Sequence, residues 1–127
     1  MNKLLIIEDD KILLEMYKDE FTSEKFEVQT ANDGQEGIEK IKITLPDAVL
    51  LDLIMPKVNG YEFLKLKKAD PTLNKIPVLV LTNVYTNTQD LINNWHVAAV
   101  LLKSEHTPGS IVTKVKQIIG QKTPSQQ

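Results

Sequence analysis

The sequence predicts an α/β fold: a parallel sheet covered by helices on both faces. Two observations point there. Five short apolar runs alternate with longer segments in which apolar residues recur at helical spacing. Several of those runs are apolar without interruption, as expected of strands buried on both sides.

Leu4–Ile7 is the first such run, and it ends in Glu8-Asp9-Asp10. Ile12, Leu13, Met16, Tyr17 and Phe21 then recur at helical spacing. Phe26, Val28 and Thr30 alternate with polar residues, predicting a second strand with a more exposed side. Asn32-Asp33-Gly34 supplies cap and turn residues for a helix carrying Gly37, Ile38 and Ile41, which Pro46-Asp47 breaks. Ala48–Leu51 is the third strand, terminated by Asp52. Pro56 and Asn59-Gly60 mark a loop before an amphipathic helix with Tyr61, Phe63, Leu64 and Leu66, which ends at Asp70-Pro71. Val78–Leu81 is the fourth strand and the most β-like in composition. Residues Thr86–Trp95 read as a short polar helix, and Ala98–Leu102 as the fifth strand. Thr107-Pro108 opens the last helix, with Pro at its first position. Ile111, Val112, Val115, Ile118 and Ile119 form the buried stripe of that helix, and Gly120 ends it. Residues 1–120 thus form one domain of five strand–helix units, followed by a polar tail over residues 121–127.

The 127 residues fit one domain able to bury a core, and 42% hydrophobic with 25% charged residues is ordinary for a globular chain. A net charge of −2 gives no overall attraction to nucleic acid or to an anionic membrane. Lys65, Lys67 and Lys68 form a single basic cluster, read as a solvated helix face. The absence of cysteine excludes disulfides, thiolate metal sites and cysteine nucleophiles. The apolar run after Met1-Asn2-Lys3 is too short for the core of a signal peptide and ends in acids, and no stretch approaches a membrane span. The expectation is a cytoplasmic protein with no direct nucleic-acid or membrane partner.

In an open parallel sheet, ligands bind beyond the carboxyl ends of the strands. Glu8, Asp9 and Asp10 follow the first strand, Asp52 the third, Thr82 the fourth and Lys103 the fifth; the second contributes only Asn32 and Asp33. Asp10 and Asp33 are each explained by helix capping. The set as a whole is harder to explain that way, because two carboxylates about 4 Å apart repel by roughly 4 kcal/mol at an effective dielectric of about 20. A hard divalent cation relieves that repulsion; Mg²⁺ commonly uses one or two carboxylates and bridges to phosphate. A carboxylate, a Mg²⁺ site, a lysine and a hydroxyl are the parts needed for an aspartyl-phosphate intermediate.

The run Leu4-Leu5-Ile6-Ile7-Glu8-Asp9-Asp10 resembles the acidic opening of the receiver domains of bacterial response regulators. The segment Leu51-Asp52-Leu53-Ile54-Met55-Pro56, followed by Gly60, resembles the surroundings of their phosphoacceptor. Thr82 and Lys103 fall in the family's order, Ala31–Gly37 also looks family-like, and the likeness runs from residue 3 to about 119. It implies a flavodoxin-like sheet of strand order 2-1-3-4-5, as in single-domain chemotaxis regulators of two-component signalling. By the same likeness, Asp52 would take a phosphoryl group from a histidine kinase or a histidine phosphotransfer protein. Asp9 would bind Mg²⁺ directly and Glu8 through water, with Asp52 and the backbone carbonyl of Ile54 completing the protein's share of the shell. Lys103 would pair with Asp52 and then with the phosphoryl oxygens, and Thr82 would hydrogen-bond the phosphoryl group. The domain would act on itself alone, catalysing only its own phosphorylation and dephosphorylation, and would signal to a downstream protein target.

Three positions depart from the family pattern. Ser104 follows Lys103 where the family usually has proline after a cis peptide. A cis bond before a non-proline residue is costly, so a trans bond and a displaced Lys103 are expected. Val100 occupies the place of the switch aromatic on the fifth strand, so the usual threonine–aromatic coupling should be absent. Asn83 follows Thr82 where a small residue is common. Ile54, apolar and β-branched, could shield a phosphoryl group on Asp52 and cannot orient an attacking water, which predicts slow self-dephosphorylation.

An aspartate-nucleophile phosphatase would carry a second Asp at the position of Ile54, and the chain has no room for a cap domain. Neither a Walker-type loop nor a glycine-rich dinucleotide turn is present. The competing reading is a receiver-like module that binds partners without phosphorylation. His96 and His106 read as ordinary surface or loop histidines, and Trp95 as helix packing near the fourth and fifth strands. The chain is either a stand-alone regulator or a domain of something longer.

Overall fold

A computed structural model of the chain describes residues 1–53, 59–83 and 88–121. Five parallel strands, β1 (Lys3–Ile7), β2 (Glu27–Ala31), β3 (Ala48–Asp52), β4 (Val78–Thr82) and β5 (Ala99–Leu102), form one sheet in the order β2-β1-β3-β4-β5. Helices α1 (Lys11–Ser23), α2 (Gly34–Thr44), α3 (Gly60–Lys68), α4 (Thr88–Trp95) and α5 (Pro108–Gln121) connect or follow them. This is the flavodoxin-like arrangement that the resemblance implies.

Strand alternation sorts the core into two layers. Leu4, Ile6, Leu50, Leu79 and Leu81 face α1 and α5, packing on Leu14, Tyr17, Phe21, Ile111 and Val115. Leu5, Ile7, Val49, Leu51, Val78 and Val80 face the other helices, packing on Ile38, Ile41, Phe63, Leu64 and Leu91. The centre of the sheet is buried on both sides, which is why these runs carry no polar residue until their ends.

Several local features differ from the sequence reading. Ile12 is 82% exposed and Met16 is also exposed, so Leu14, Tyr17 and Phe21 form the inward side of α1. On α3 the core takes Phe63, Leu64 and Lys67 while Leu66 is 49% exposed. Lys67 is therefore not part of a solvated basic face: it stands at the inward position, one turn beyond Phe63 and Leu64. β5 starts at Ala99, and α4 starts at Thr88, with Thr86 and Asn87 outside the described residues. Gly120 does not end α5, which runs to Gln121; no described glycine has a positive φ, the conformation by which glycine usually stops a helix.

Candidate functional site

Strand register brings the predicted residues together. Ile7 lies opposite Leu51, so Glu8 and Asp52 come at the same level on neighbouring strands. Asp52 lies opposite Leu81, and Thr82 opposite Leu102, the residue before Lys103. Glu8, Asp52 and Lys103 continue the alternation of Ile6, Leu50 and Leu101, so they stand on the side of the sheet covered by α1 and α5.

One carboxylate oxygen each from Glu8, Asp9 and Asp52 lies within 4.8 Å of the others. The Lys103 ammonium donates to Glu8 Oε1 at 2.8 Å and lies 3.6 Å from Asp52 Oδ2. A cavity of about 360 Å³ opens on this cluster, lined also by Asp10, Leu13, Thr82 and Asn83. Among the described residues four polar or charged side chains are buried, and Glu8, Asp52 and Thr82 are three of them. Burial of polar groups is costly, and here it is concentrated on one spot.

The electrostatics follow from that burial. Desolvation, reinforced by the Glu8 charge and only partly opposed by Lys103, pushes the Asp52 carboxyl up to about 7. Burial acts to lower the Lys103 pKa, but the hydrogen bond and charge of Glu8, then Asp52, leave it raised, so the ammonium is firmly charged. Tyr17 lies within electrostatic reach of Lys103, Glu8 and Asp52, and burial raises its phenol.

Lys103 was expected to be displaced by the loss of proline after it. The described residues contain no cis peptide. The chain instead turns through a single 3-10 turn, Lys103–Glu105, and the ammonium still reaches both carboxylates. The long, flexible lysine stem absorbs the change.

Asp10 stands at the rim, but its carboxylate caps α1, accepting from the N–H groups of Ile12 and Leu13 at 2.9 and 3.1 Å. Asp33 caps α2 through the Glu36 N–H while Glu36 reaches back to the Asn32 N–H, so the end of β2 is tied up in a cap. Ile54, whose carbonyl the resemblance places in a metal shell, lies outside the described residues. His106 bonds Ser110 on α5 and His96 lies beyond α4; neither joins the acidic cluster. Val100 is half-buried against the core. Sequence reasoning did not single out Leu13 and Tyr17 for this site. Their signal was spacing: Tyr17 follows Leu13 by four residues within α1, which puts both on one face of the helix that begins beside the acids.

The donor set suits a hard cation, because three carboxylate oxygens converge and, among the described residues, no nitrogen or sulfur ligand stands with them. The chain matches the family model for the response regulator receiver domain over residues 4–116. It is 34% identical over 80 residues to the response regulator PleD of Caulobacter vibrioides, covering 63% of this chain and 18% of that protein. Identity is 41% over 83 residues to the transcriptional regulatory protein CpxR homolog of Haemophilus influenzae, covering 65% and 34%. It is 30% over 118 residues to the transcriptional regulator ycf29 of Pyropia yezoensis, covering 92% and 53%. The chain thus spans less than two thirds of each of these relatives. Among solved structures, it superposes on chemotaxis protein CheY4 of Vibrio cholerae with a TM-score of 0.83 at 24% identity, over 92% of this chain and 98% of that one. It also superposes on the N-terminal domain of a response regulator receiver protein from Methanoculleus marisnigri with a TM-score of 0.75 at 25% identity, over 92% and 94%.

Proposed function

The chain belongs to the response regulator receiver domain family, and from that premise we propose that it is a phosphoacceptor receiver whose Asp52 takes a phosphoryl group from a histidine kinase or a histidine phosphotransfer protein. The observation that carries this reading is the convergence of Glu8, Asp9 and Asp52 beside the Lys103 ammonium.

In the reaction an Asp52 carboxylate oxygen attacks phosphorus; a P–O bond forms as the P–N bond of the donor phosphohistidine breaks. Glu8, Asp9 and Asp52 would hold Mg²⁺, with the Ile54 carbonyl as a further ligand. The bound cation would neutralise charge on the carboxylates and on the transferring phosphoryl oxygens. Glu8 and Lys103 frame the acceptor oxygen, and Lys103 can turn from Glu8 to a phosphoryl oxygen because its ammonium already lies between the two carboxylates. Thr82, at the end of the neighbouring strand, supplies a hydroxyl donor. Asn83 adds a rim amide facing the same cavity. Asp52 and Thr82 end their strands, and Glu8 and Lys103 directly follow theirs, which favours preorganised charge stabilisation. Output would pass through protein contacts to a downstream target. Among the described residues, no helix is long and apolar enough to cross a membrane.

The test is Mg²⁺ with acetyl phosphate, the adduct being read by intact mass. Wild type should gain one phosphoryl group in a Mg²⁺-dependent manner and Asp52→Asn none. Lack of any adduct, or the same adduct on the variant, would leave a binding module that works without phosphorylation.

A further inference from the structure

Glu8 is the most deeply buried of the three clustered carboxylates, and both of its oxygens have donors. Oε2 accepts from the Asp10 N–H at 3.2 Å, and Oε1 from the Lys103 ammonium at 2.8 Å. When Lys103 turns to a phosphoryl oxygen on Asp52, Oε1 loses that donor. A buried carboxylate oxygen left without a partner is costly. The turn of Lys103 is therefore opposed unless a second donor stands nearby.

Tyr17 is such a donor. It is 3% exposed and packs in the layer of Leu4, Ile6, Leu50 and Leu81. Long side chains on a helix lean toward its N-terminus, so the Tyr17 ring extends over the turn of Leu13, a wall of the cavity, toward the acids that precede α1. The charges acting on its phenol agree with that direction: Lys103 acts most strongly, then Glu8, then Asp52 and Asp10, and such effects weaken with distance. Among the described residues its hydroxyl makes no hydrogen bond. No fully buried side-chain oxygen among them lacks a partner, so the hydroxyl keeps a trace of open surface. Packing alone gives no reason for a hydroxyl here, because a phenylalanine ring fills the same space.

We propose that Tyr17 is a positioning residue for Lys103: its hydroxyl takes over as hydrogen-bond donor to Glu8 Oε1 when the ammonium moves to a phosphoryl group on Asp52. The phenol keeps its proton throughout and only changes partner. Because it is neutral, it can serve Glu8 beside a bound cation without adding a second positive charge.

The inference rests on the reading of Asp52 as phosphoacceptor, and the experiment separates the two. Beryllofluoride with Mg²⁺ is titrated into the full chain and binding is followed by fluorine NMR. Tyr17→Phe keeps the ring and removes only the hydroxyl. It should keep the wild-type Tm in EDTA and the wild-type Mg²⁺ affinity, yet bind beryllofluoride about tenfold more weakly, the size of a hydrogen bond to a charged group. In wild type labelled at tyrosine Cζ, the Tyr17 carbon resonance, identified by its loss in Tyr17→Phe, should shift as beryllofluoride binds. Equal binding by Tyr17→Phe, or an unmoved Tyr17 resonance, with wild type binding normally, overturns the role of the hydroxyl and leaves Asp52 as phosphoacceptor. Weaker binding together with a lower Tm in EDTA overturns it as well, because the hydroxyl then serves the resting fold. Failure of wild type to bind, or equal binding by Asp52→Asn, overturns both.

Discussion

Glu8 has two suitors. Its carboxylate holds the Lys103 ammonium at 2.8 Å, closer than Asp52 does at 3.6 Å, and it also belongs to the oxygen cluster suited to a cation. Two positive charges cannot share that carboxylate without repelling each other, so the lysine and the metal compete. Lys103→Met should therefore bind Mg²⁺ about three- to tenfold more tightly by calorimetry, while its phosphorylation by acetyl phosphate slows by about a hundredfold for want of a group to meet the developing charge. Weaker Mg²⁺ binding by the variant would mean that Lys103 organises the cluster rather than competing for it. Ile54 bears on the reverse reaction. Ile54→Asn should shed phosphate faster than wild type in the same buffer; a tenfold difference needs only about 1.4 kcal/mol, and equal lifetimes would remove any shielding role. Glu8, Asp52, Thr82 and Lys103 were legible because each ends an apolar run, where a polar residue stands out. The path of Lys103 was not, because whether a side chain still reaches its partners after the backbone turns differently depends on stem length and on the neighbouring strand, neither of which is a local property.

Helix α3 shows what periodicity alone misses. Its hydrophobic count suggested that Leu66 belonged inside and the lysines outside, but capping by Asn59 and the docking of Gly60 on Leu53 set the rotation, which turns Lys67 inward and Leu66 outward. Lys67 is 4% exposed, and the polar contact described for its ammonium is the Asn74 carbonyl at 3.4 Å. Burial lowers its pKa to about 8, against roughly 10.4 in the unfolded chain. The unfolded chain thus binds more protons between those values, so this group's penalty is full below about pH 8 and fades as pH rises toward 10. Lys67→Met should be more stable than wild type at pH 7 by about 1–2 kcal/mol, with the gap narrowing at pH 9.5 in urea titrations. A constant gap across that range would assign the gain to packing instead. The other fixed point of α3 predicts the opposite effect: Gly60→Ala should lose about 1–3 kcal/mol, since its new methyl meets backbone rather than a side chain that can swing away.

At the scale of the molecule, the strands and their number were legible because a sheet buried on both faces leaves no room for polar residues, and Leu4–Ile7, Ala48–Leu51 and Val78–Leu81 are unbroken for that reason. Strand order was not legible from pattern: nothing in the periodicity of β1 says that β3 rather than β4 lies beside it, and only the family likeness supplied the order that the fold adopts. That order has an energetic consequence. Placing β1 beside β3 forces Glu8 and Asp9 against Asp52, and the environment of Asp52 opposes its charge strongly enough to hold its carboxyl at about 7. Lys103 does not cancel this, because Glu8 is its nearer partner. A carboxyl whose pKa is higher folded than unfolded costs stability as pH rises from about 4, its unfolded value, toward 7. Without divalent cations, wild type should therefore lose stability across that interval, and Asp52→Asn should lose less. At pH 7.5 the variant should be the more stable by about 1–2 kcal/mol after allowance for solvent screening, a rise in Tm of about 3–10 °C for a chain of this size. Millimolar Mg²⁺ should raise the Tm of wild type and do little for Asp52→Asn, closing or reversing the gap, because a ligand stabilises only the state that binds it. Scanning calorimetry of both proteins with EDTA and with Mg²⁺ decides the matter. If Asp52→Asn is the less stable protein in EDTA, then Asp52 earns its place in the fold through Lys103, and the strain assigned to the acidic cluster is absent.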